Sequence, residues 1–172
     1  MPRRTAATAA LTLLTSAGVE FRVFEYRHDP AAASCGEEAV ERLGLEAARV
    51  FKTLVAEVPG PRRPELVVGI VPVSGRLSLK ALATALGAKK AELAEPQAAE
   101  RSTGYLVGGI SPLAQRHRLR TVLDSSALQH ATIYVSAGRR GHQVELAPTD
   151  LARLTSAQTA PISSPRHPAR GE

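Results

Sequence analysis

The run Val50-Phe51-Lys52-Thr53-Leu54-Val55-Ala56-Glu57-Val58 decides how this chain folds. It is rich in strand-forming residues and is closed by Pro59-Gly60-Pro61-Arg62-Arg63-Pro64, a segment that turns the chain. Residues 65–72 then return with the same character, so the two runs read as a hairpin within a sheet. Side chains alternate across a strand, which puts Val50, Lys52, Leu54, Ala56 and Val58 on one face. Lys52 is the only charged member of that face. Burying an ammonium without a partner is costly. Lys52 therefore either snorkels at a sheet edge or lines a pocket that receives an anionic ligand, and alternation leaves both readings open.

Outward from the hairpin, punctuation sets the other elements. Residues 8–17 read as an amphipathic helix stopped by Gly18, and 19–26 as a strand. Ser34-Cys35-Gly36-Glu37 matches a capping box and opens a helix that stops at Gly44. Ser78 caps a helix ending at Gly87, residues 90–93 form a short strand, and Pro96 opens a further helix. Strands are expected at 120–123, 132–136 and 143–146, with the basic turn Gly138-Arg139-Arg140-Gly141 before the last of them. Pro148 opens a final helix. Pro161, Pro165 and Pro168 among Ser and Ala make residues 157–172 read as a disordered tail behind a domain over 1–156. Short strands interspersed with helices predict an α+β or mixed α/β fold with one central sheet.

The 172 residues fit one domain plus that tail. A net charge of +6 and a pI near 10.1 favour an anionic partner such as nucleic acid. Three Tyr, three Phe and no Trp leave little for a base-stacking platform, which argues against extended reading of single-stranded RNA. Cys35 is the sole cysteine, so no intramolecular disulfide forms and a reducing cytoplasm is the expected setting. His28, His117, His130, His142 and His167 show no H-x-x-x-H or H-E-x-x-H spacing; no metal and no cofactor are expected. Pro2-Arg3-Arg4 ahead of residues 5–14 faintly resembles a signal peptide, but the Thr- and Ala-rich stretch suits a helix better. No apolar run approaches the ~20 residues of a membrane span, so no membrane partner is expected.

The second informative stretch is Ser102-Thr103-Gly104-Tyr105-Leu106-Val107-Gly108-Gly109-Ile110-Ser111-Pro112, uncharged and flanked by Arg101, Arg116, His117 and Arg118. Glycine lets backbone N–H groups approach a ligand, and the closing proline stiffens the loop. A backbone-built site for an anionic or polar group and a tight turn between buried strands both fit. The loop is neither G-x-G-x-x-G nor a P-loop, and Ser111 lacks the second glycine of a nucleophile elbow. Arg139 and Arg140 are candidates for phosphate contact. Asp29 and Asp124 are candidate carboxylates that nothing in the sequence pairs. Cys35 reads as a small pocket or core residue.

Together these blocks resemble the YbaK family of free-standing aminoacyl-tRNA deacylases, related to the editing domain inserted in bacterial prolyl-tRNA synthetases. The resemblance rests on Val50-Phe51-Lys52-Thr53-Leu54, Val71-Pro72-Val73-Ser74-Gly75, Leu86-Gly87-Ala88-Lys89-Lys90, Arg101 through Pro112, and Thr132-Ile133-Tyr134-Val135-Ser136, in one order over about residues 8–154. It implies an α/β (α+β) fold with a mixed central sheet or partial barrel flanked by helices. It also implies an essential lysine, matched by Lys52, and a Gly-x-x-x-Pro loop, matched by Gly108, Gly109, Ile110, Ser111 and Pro112. Tyr26, Thr53 and Ser136 match further substrate-binding positions. Cys35 and Gln143 depart from the family pattern, where an aromatic and an aspartate are common, so amino-acid preference here can differ.

The implied substrate is aminoacyl-tRNA at its 3′ terminal adenosine, Cys-tRNA(Pro) and Cys-tRNA(Cys) first, with prolyl-tRNA synthetase as a possible partner. Ester hydrolysis needs a stabilised oxyanion, for which backbone N–H groups around Gly108 and Gly109 are the expected donors, and Lys52 would hold the terminal phosphate or ribose. No His–Ser or Cys–His nucleophile is recognisable, which fits substrate-assisted chemistry. Two other functions stay open: a deacylase for another small amino acid, such as Ala-tRNA(Pro), and a tRNA- or synthetase-binding module without catalysis.

Overall fold

The computed structural model describes residues 7–165. Chain order is α1 (Ala9–Ala17), β1 (Phe21–Glu25), α2 (Cys35–Leu43), β2 (Phe51–Val58), β3 (Glu65–Pro72), β4 (Gly75–Leu77), α3 (Leu79–Ala85), β5 (Glu92–Leu93), α4 (Pro96–Thr103), β6 (Arg120–Asp124), β7 (Ile133–Ser136), β8 (His142–Leu146), α5 (Pro148–Thr155), β9 (Gln158–Ala160) and β10 (Ser163–Pro165). A short 3₁₀ turn, Ser125–Gln129, follows β6. The expected stops and caps are present: Ser34 Oγ accepts from Glu37 N, Ser78 Oγ accepts from Ala81 N, and Gly18 and Gly44 end their helices in the left-handed region.

The hairpin holds as read, with β2 and β3 antiparallel from Phe51 opposite Pro72 to Val58 opposite Glu65. It sits inside a five-stranded mixed sheet of order β5-β2-β3-β6-β9, in which β6 runs parallel to both of its neighbours. A second, antiparallel sheet has order β1-β8-β7. The two sheets touch through the Val50–Tyr134 bridge and do not close into a barrel. Alternation along β2 splits the core. Phe51 and Val55 join the cluster under α1, α5 and the second sheet, whereas Ala56 and Val58 join Val67, Leu82 and Ile162 on the opposite face.

The tail is corrected. Residues 158–160 pair with β6, and 163–165 pair with β4. Ile162 is fully buried, and the Asp124 carboxylate accepts Ile162 N–H and Ser163 N–H. Packing and one buried carboxylate order a segment whose composition alone suggests disorder. Residues 166–172, the remainder of that expected tail, and residues 1–6 lie outside the described residues.

Candidate active site

A cavity of about 300 Å³ opens where β2, the start of α2, β5, the start of α4 and the glycine loop converge. Lys52, Thr53, Gly108, Ile110 and Ser136 line it, and so do Cys35 and Gln143. Lys52 thus takes the pocket-lining role rather than the edge role. Within the wall, Thr53 Oγ1 and Gln143 Oε1 are buried and have no hydrogen-bond partner among the described residues. A buried polar atom left unsatisfied costs ~1–3 kcal/mol. Both residues belong to the lining of the one cavity.

The glycine loop runs from α4 to β6, so it is not a tight turn between two buried strands. Gly109 N–H donates to Leu106 O, closing a turn with Gly108 at φ +92°, the left-handed position glycine favours. Arg140 fastens that turn: its Nε and Nη2 donate to Val107 O at 3.0 and 2.6 Å. On the other side Val107 N–H donates to Glu100 Oε1. A Cβ on Gly108 would meet Arg140 Nε and Cys35 Sγ at 2.9 Å, and one on Gly109 would meet the Arg140 backbone N at 2.9 Å. Only glycine lets the loop and the Gly138–Gly141 turn approach this closely.

Several expected site residues shape the cavity without lining it. Gly109 N–H is engaged by Leu106 O, which removes it from the two expected oxyanion donors, whereas Gly108 lines the cavity. Ser111 is buried and its Oγ accepts from Leu113 N, while Pro112 faces a different cavity beside Leu13 and Thr155. Tyr26 lies behind the wall, donating its hydroxyl to Cys35 O. Asp124 holds the C-terminal strands. The guanidinium of Arg140, read from sequence as a phosphate contact, grips the loop. The G-R-R-G turn was the visible signal; its role depended on which loop it faced.

Charge around the cavity is tuned by burial. Burial pushes the Cys35 thiol up and the Glu38 charge adds to this, against a downward pull from Arg140, so the thiol is held in its weakly nucleophilic neutral form. Burial, with help from Glu38, raises Tyr26 to about 12. Burial also works against ionised Glu38, but Asp29 N–H and His28 outweigh it and hold this carboxyl below its ordinary value. His28, Cys35 and Glu38 offer donor atoms within 4.8 Å of one another, a group that could hold a metal ion. A search for paired histidines misses it. Both Glu38 oxygens are already engaged, Oε2 by His28 Nδ1 at 2.8 Å and Oε1 by Asp29 N–H at 2.6 Å. The protein uses the carboxylate as a clamp between α2 and the segment after β1.

The aminoacyl-tRNA editing domain family matches residues 29–154, a span that contains Lys52, the glycine loop and Gln143. The chain belongs to this family. It is 38% identical over 159 residues to EbsC of Enterococcus faecalis, named for Cys-tRNA(Pro)/Cys-tRNA(Cys) deacylase activity, covering 91% of this chain and 93% of that one. It is 29% identical over 146 residues to ProXp-y of Escherichia coli, a multifunctional Ser/Thr-tRNA deacylase, covering 84% of each. A crystal structure described as a trans-editing enzyme for prolyl-tRNA synthetase superposes with a TM-score of 0.77 at 23% identity, covering 93% of this chain and 99% of that one. That likeness shows the editing-domain fold. No helix among the described residues is long and apolar enough to cross a membrane.

Proposed function

We propose that this editing domain is a trans-acting deacylase that hydrolyses the ester of mischarged tRNA, with Cys-tRNA(Pro) and Cys-tRNA(Cys) as its first substrates. One observation carries the reading: Lys52 and Gly108 line the same cavity, together with Thr53 and Gln143, each of which holds a buried oxygen with no hydrogen-bond partner among the described residues. In this mechanism Lys52 binds the phosphate or ribose of the terminal adenosine and sets the ester against Gly108. The Gly108 N–H then stabilises the oxyanion that forms when water adds to the ester carbonyl. The acyl–oxygen bond breaks and the ribose oxygen takes the proton, releasing the amino acid and intact tRNA. Neutral Cys35 and buried Ser111 are poor nucleophiles here. The substrate's own 2′-hydroxyl or thiol therefore assists, and positioning of this kind is worth ~7–11 kcal/mol of barrier.

Lys52→Ala tests the assignment on Cys-tRNA(Pro): loss of cysteine release with an unchanged circular dichroism spectrum is expected, and an active, folded variant overturns it. Amino-acid preference is the finer question. Thr53 Oγ1 and Gln143 Oε1 favour an aminoacyl group that brings a hydrogen-bond donor, and the Ser/Thr-tRNA activity of ProXp-y makes hydroxyl side chains a second reading. Cysteinyl-, seryl- and alanyl-tRNA(Pro) assayed side by side rank these. The cavity receives only the aminoacyl end, so we assign tRNA selection to a partner, prolyl-tRNA synthetase, in the cytoplasm. Equal deacylation of cognate and non-cognate tRNAs, unaltered by added synthetase, would count against that partner. Binding of Cys-tRNA(Pro) without cysteine release would instead make the chain a non-catalytic module.

A further inference from the structure

A second group of chemically active side chains gathers at the start of α2. Cys35 opens that helix and Glu38 stands three residues on, so the two side chains lie on one side of its first turn. His28 reaches them from the segment between β1 and α2, and the donor atoms of all three lie within 4.8 Å of one another. Among the described residues no other trio of His, Cys, Asp or Glu side chains comes this close. His28 Nδ1 and Glu38 Oε2 are 2.8 Å apart, and Asp29 N–H donates to Glu38 Oε1 at 2.6 Å. A tetrahedral zinc site with bonds of ~2.0–2.3 Å has edges of roughly 3.3–3.6 Å, so His28 and Glu38 part by about half an ångström and Cys35 Sγ closes by about one at most. Side-chain rotation covers shifts of this size. The Asp29 N–H keeps its bond and orients the carboxylate, as outer-shell donors do.

The surroundings supply an entry. A cavity of about 280 Å³ adjoins the trio, and Asp29, Glu37, Glu38, Glu41 and Arg42 line it. Four carboxylates against one guanidinium draw a cation to this opening. Two arginines stand against such an ion, Arg42 near Glu38 and Arg140 near Cys35. A divalent ion held by one thiolate, one carboxylate and a neutral imidazole is a neutral unit, so neither arginine repels the filled site. The donor set also selects the ion. Thiolate and imidazole suit zinc and its soft neighbours, whereas magnesium and calcium ask for oxygen. Three protein donors leave the fourth tetrahedral position to water.

We propose that His28, Cys35 and Glu38 form a binding site for one thiophilic divalent cation of the zinc class. Binding replaces the Cys35 S–H bond with a sulfur–metal bond and releases that proton to water; nothing is oxidised or reduced. The ion ties the segment after β1 to the first turn of α2 and reinforces the Glu38 clamp. It also puts a metal centre on the wall that Cys35 shares with Lys52 and Gly108. A Cβ on Gly108 would come within 2.9 Å of Cys35 Sγ, so the ion lies beside the loop that receives the ester. Occupancy should therefore slow the hydrolysis proposed above.

The test titrates untagged, metal-free, full-length protein with Zn²⁺ against a chromophoric chelator, and with Co²⁺ as a spectroscopic probe. The protein should withhold one equivalent of Zn²⁺ from the chelator, and Zn²⁺ should raise Tm. Co²⁺ should give a sulfur-to-cobalt charge-transfer band, which Cys35 alone can supply as the sole cysteine. Cys35→Ser should abolish that band and weaken Zn²⁺ binding ~100-fold or more, and His28→Gln, which keeps a donor for Glu38, should weaken it ~10–100-fold. No equivalent withheld by the native protein overturns the site. Affinity unchanged in either variant overturns it too, by placing the ion elsewhere. The cobalt band decides even where a variant fails to fold, because its absence from the native protein means that sulfur holds no metal. These readouts need no deacylase activity, so the site and the deacylase reading fail separately. On Cys-tRNA(Pro), Zn²⁺ should slow cysteine release by the native protein more than by His28→Gln; equal slowing overturns the placement of the ion on the cavity wall.

Discussion

The two walls that bring Lys52 and Gly108 together are held by opposite means. β2 is fixed along its length by β3 and, at its far end, by β5. The glycine loop is held at points: Arg140 on Val107 O, Glu100 on Val107 N–H, and Tyr105 Oη on Leu113 O at 2.7 Å. A laddered wall keeps its shape when one side chain changes. A pinned wall can lose its shape while the fold survives. The lysine proposed to anchor the substrate therefore stands on the rigid wall, and the proposed oxyanion donor on the one that mutation can detune.

Substitutions can sharpen or break this contrast. The largest effect is expected at Lys52→Ala, a loss of ~100-fold or more in kcat/KM on Cys-tRNA(Pro) with little change in Tm, since the anchor that sets the ester against Gly108 is what disappears. Gly108→Ala comes next. Its Cβ would strike Arg140 Nε and Cys35 Sγ at φ +92°, so a loss of ~10–100-fold in kcat is expected from displacement of the loop. Gly104→Ala is its control. It pays the same kind of backbone strain at φ +81° but meets Arg116 Cβ only at 3.5 Å, so Tm falls while activity stays within about threefold. If the two alanines cost equal activity, loop position is not what matters.

Arg140→Ala should follow, with kcat reduced about tenfold and KM changed less, because two hydrogen bonds to one carbonyl are lost. Arg140→Lys should restore little, having no planar fork to repeat them. The smallest effect concerns stability alone. The folded Glu38 carboxyl titrates below its ordinary 4.5, so its contribution is present above that value and is lost as pH falls through the folded value. Glu38→Gln should therefore melt below the native protein at pH 7, and the gap should close in acid. A gap that persists in acid would mean that packing, and not charge, is what Glu38 supplies.

Most of this architecture was legible because the chain is punctuated. Proline, glycine and capping serines bracket β2, β3, α2, α3 and α4, and alternation placed Lys52 on a face where it had to be explained. β9 and β10 were not legible. Gln158-Thr159-Ala160 and Ser163-Ser164-Pro165 are too short and polar to show a period, and their order comes from Ile162 and from a carboxylate on β6. The site was legible in part for a similar reason. Sequence shows that a Gly-Gly pair makes a turn, but not which N–H the turn itself uses, so Gly109 looked equivalent to Gly108. Ser111 and Pro112 belong to the same motif yet serve the loop's shape.

The C-terminal strands have a consequence for the order in which the chain becomes a protein. β6 lies between β3 and β9, and its Asp124 carboxylate takes two N–H groups from residues 38 and 39 positions later. A ribosome delivers those partners only after every strand of that sheet. Until Ile162 and Ser163 emerge, the nascent sheet holds a charged group in its interior with an open edge beside it. Synthesis therefore reaches the region of Lys52 and the glycine loop well before that sheet is complete, and its completion falls to a segment, residues 158–165, that lines none of the candidate site.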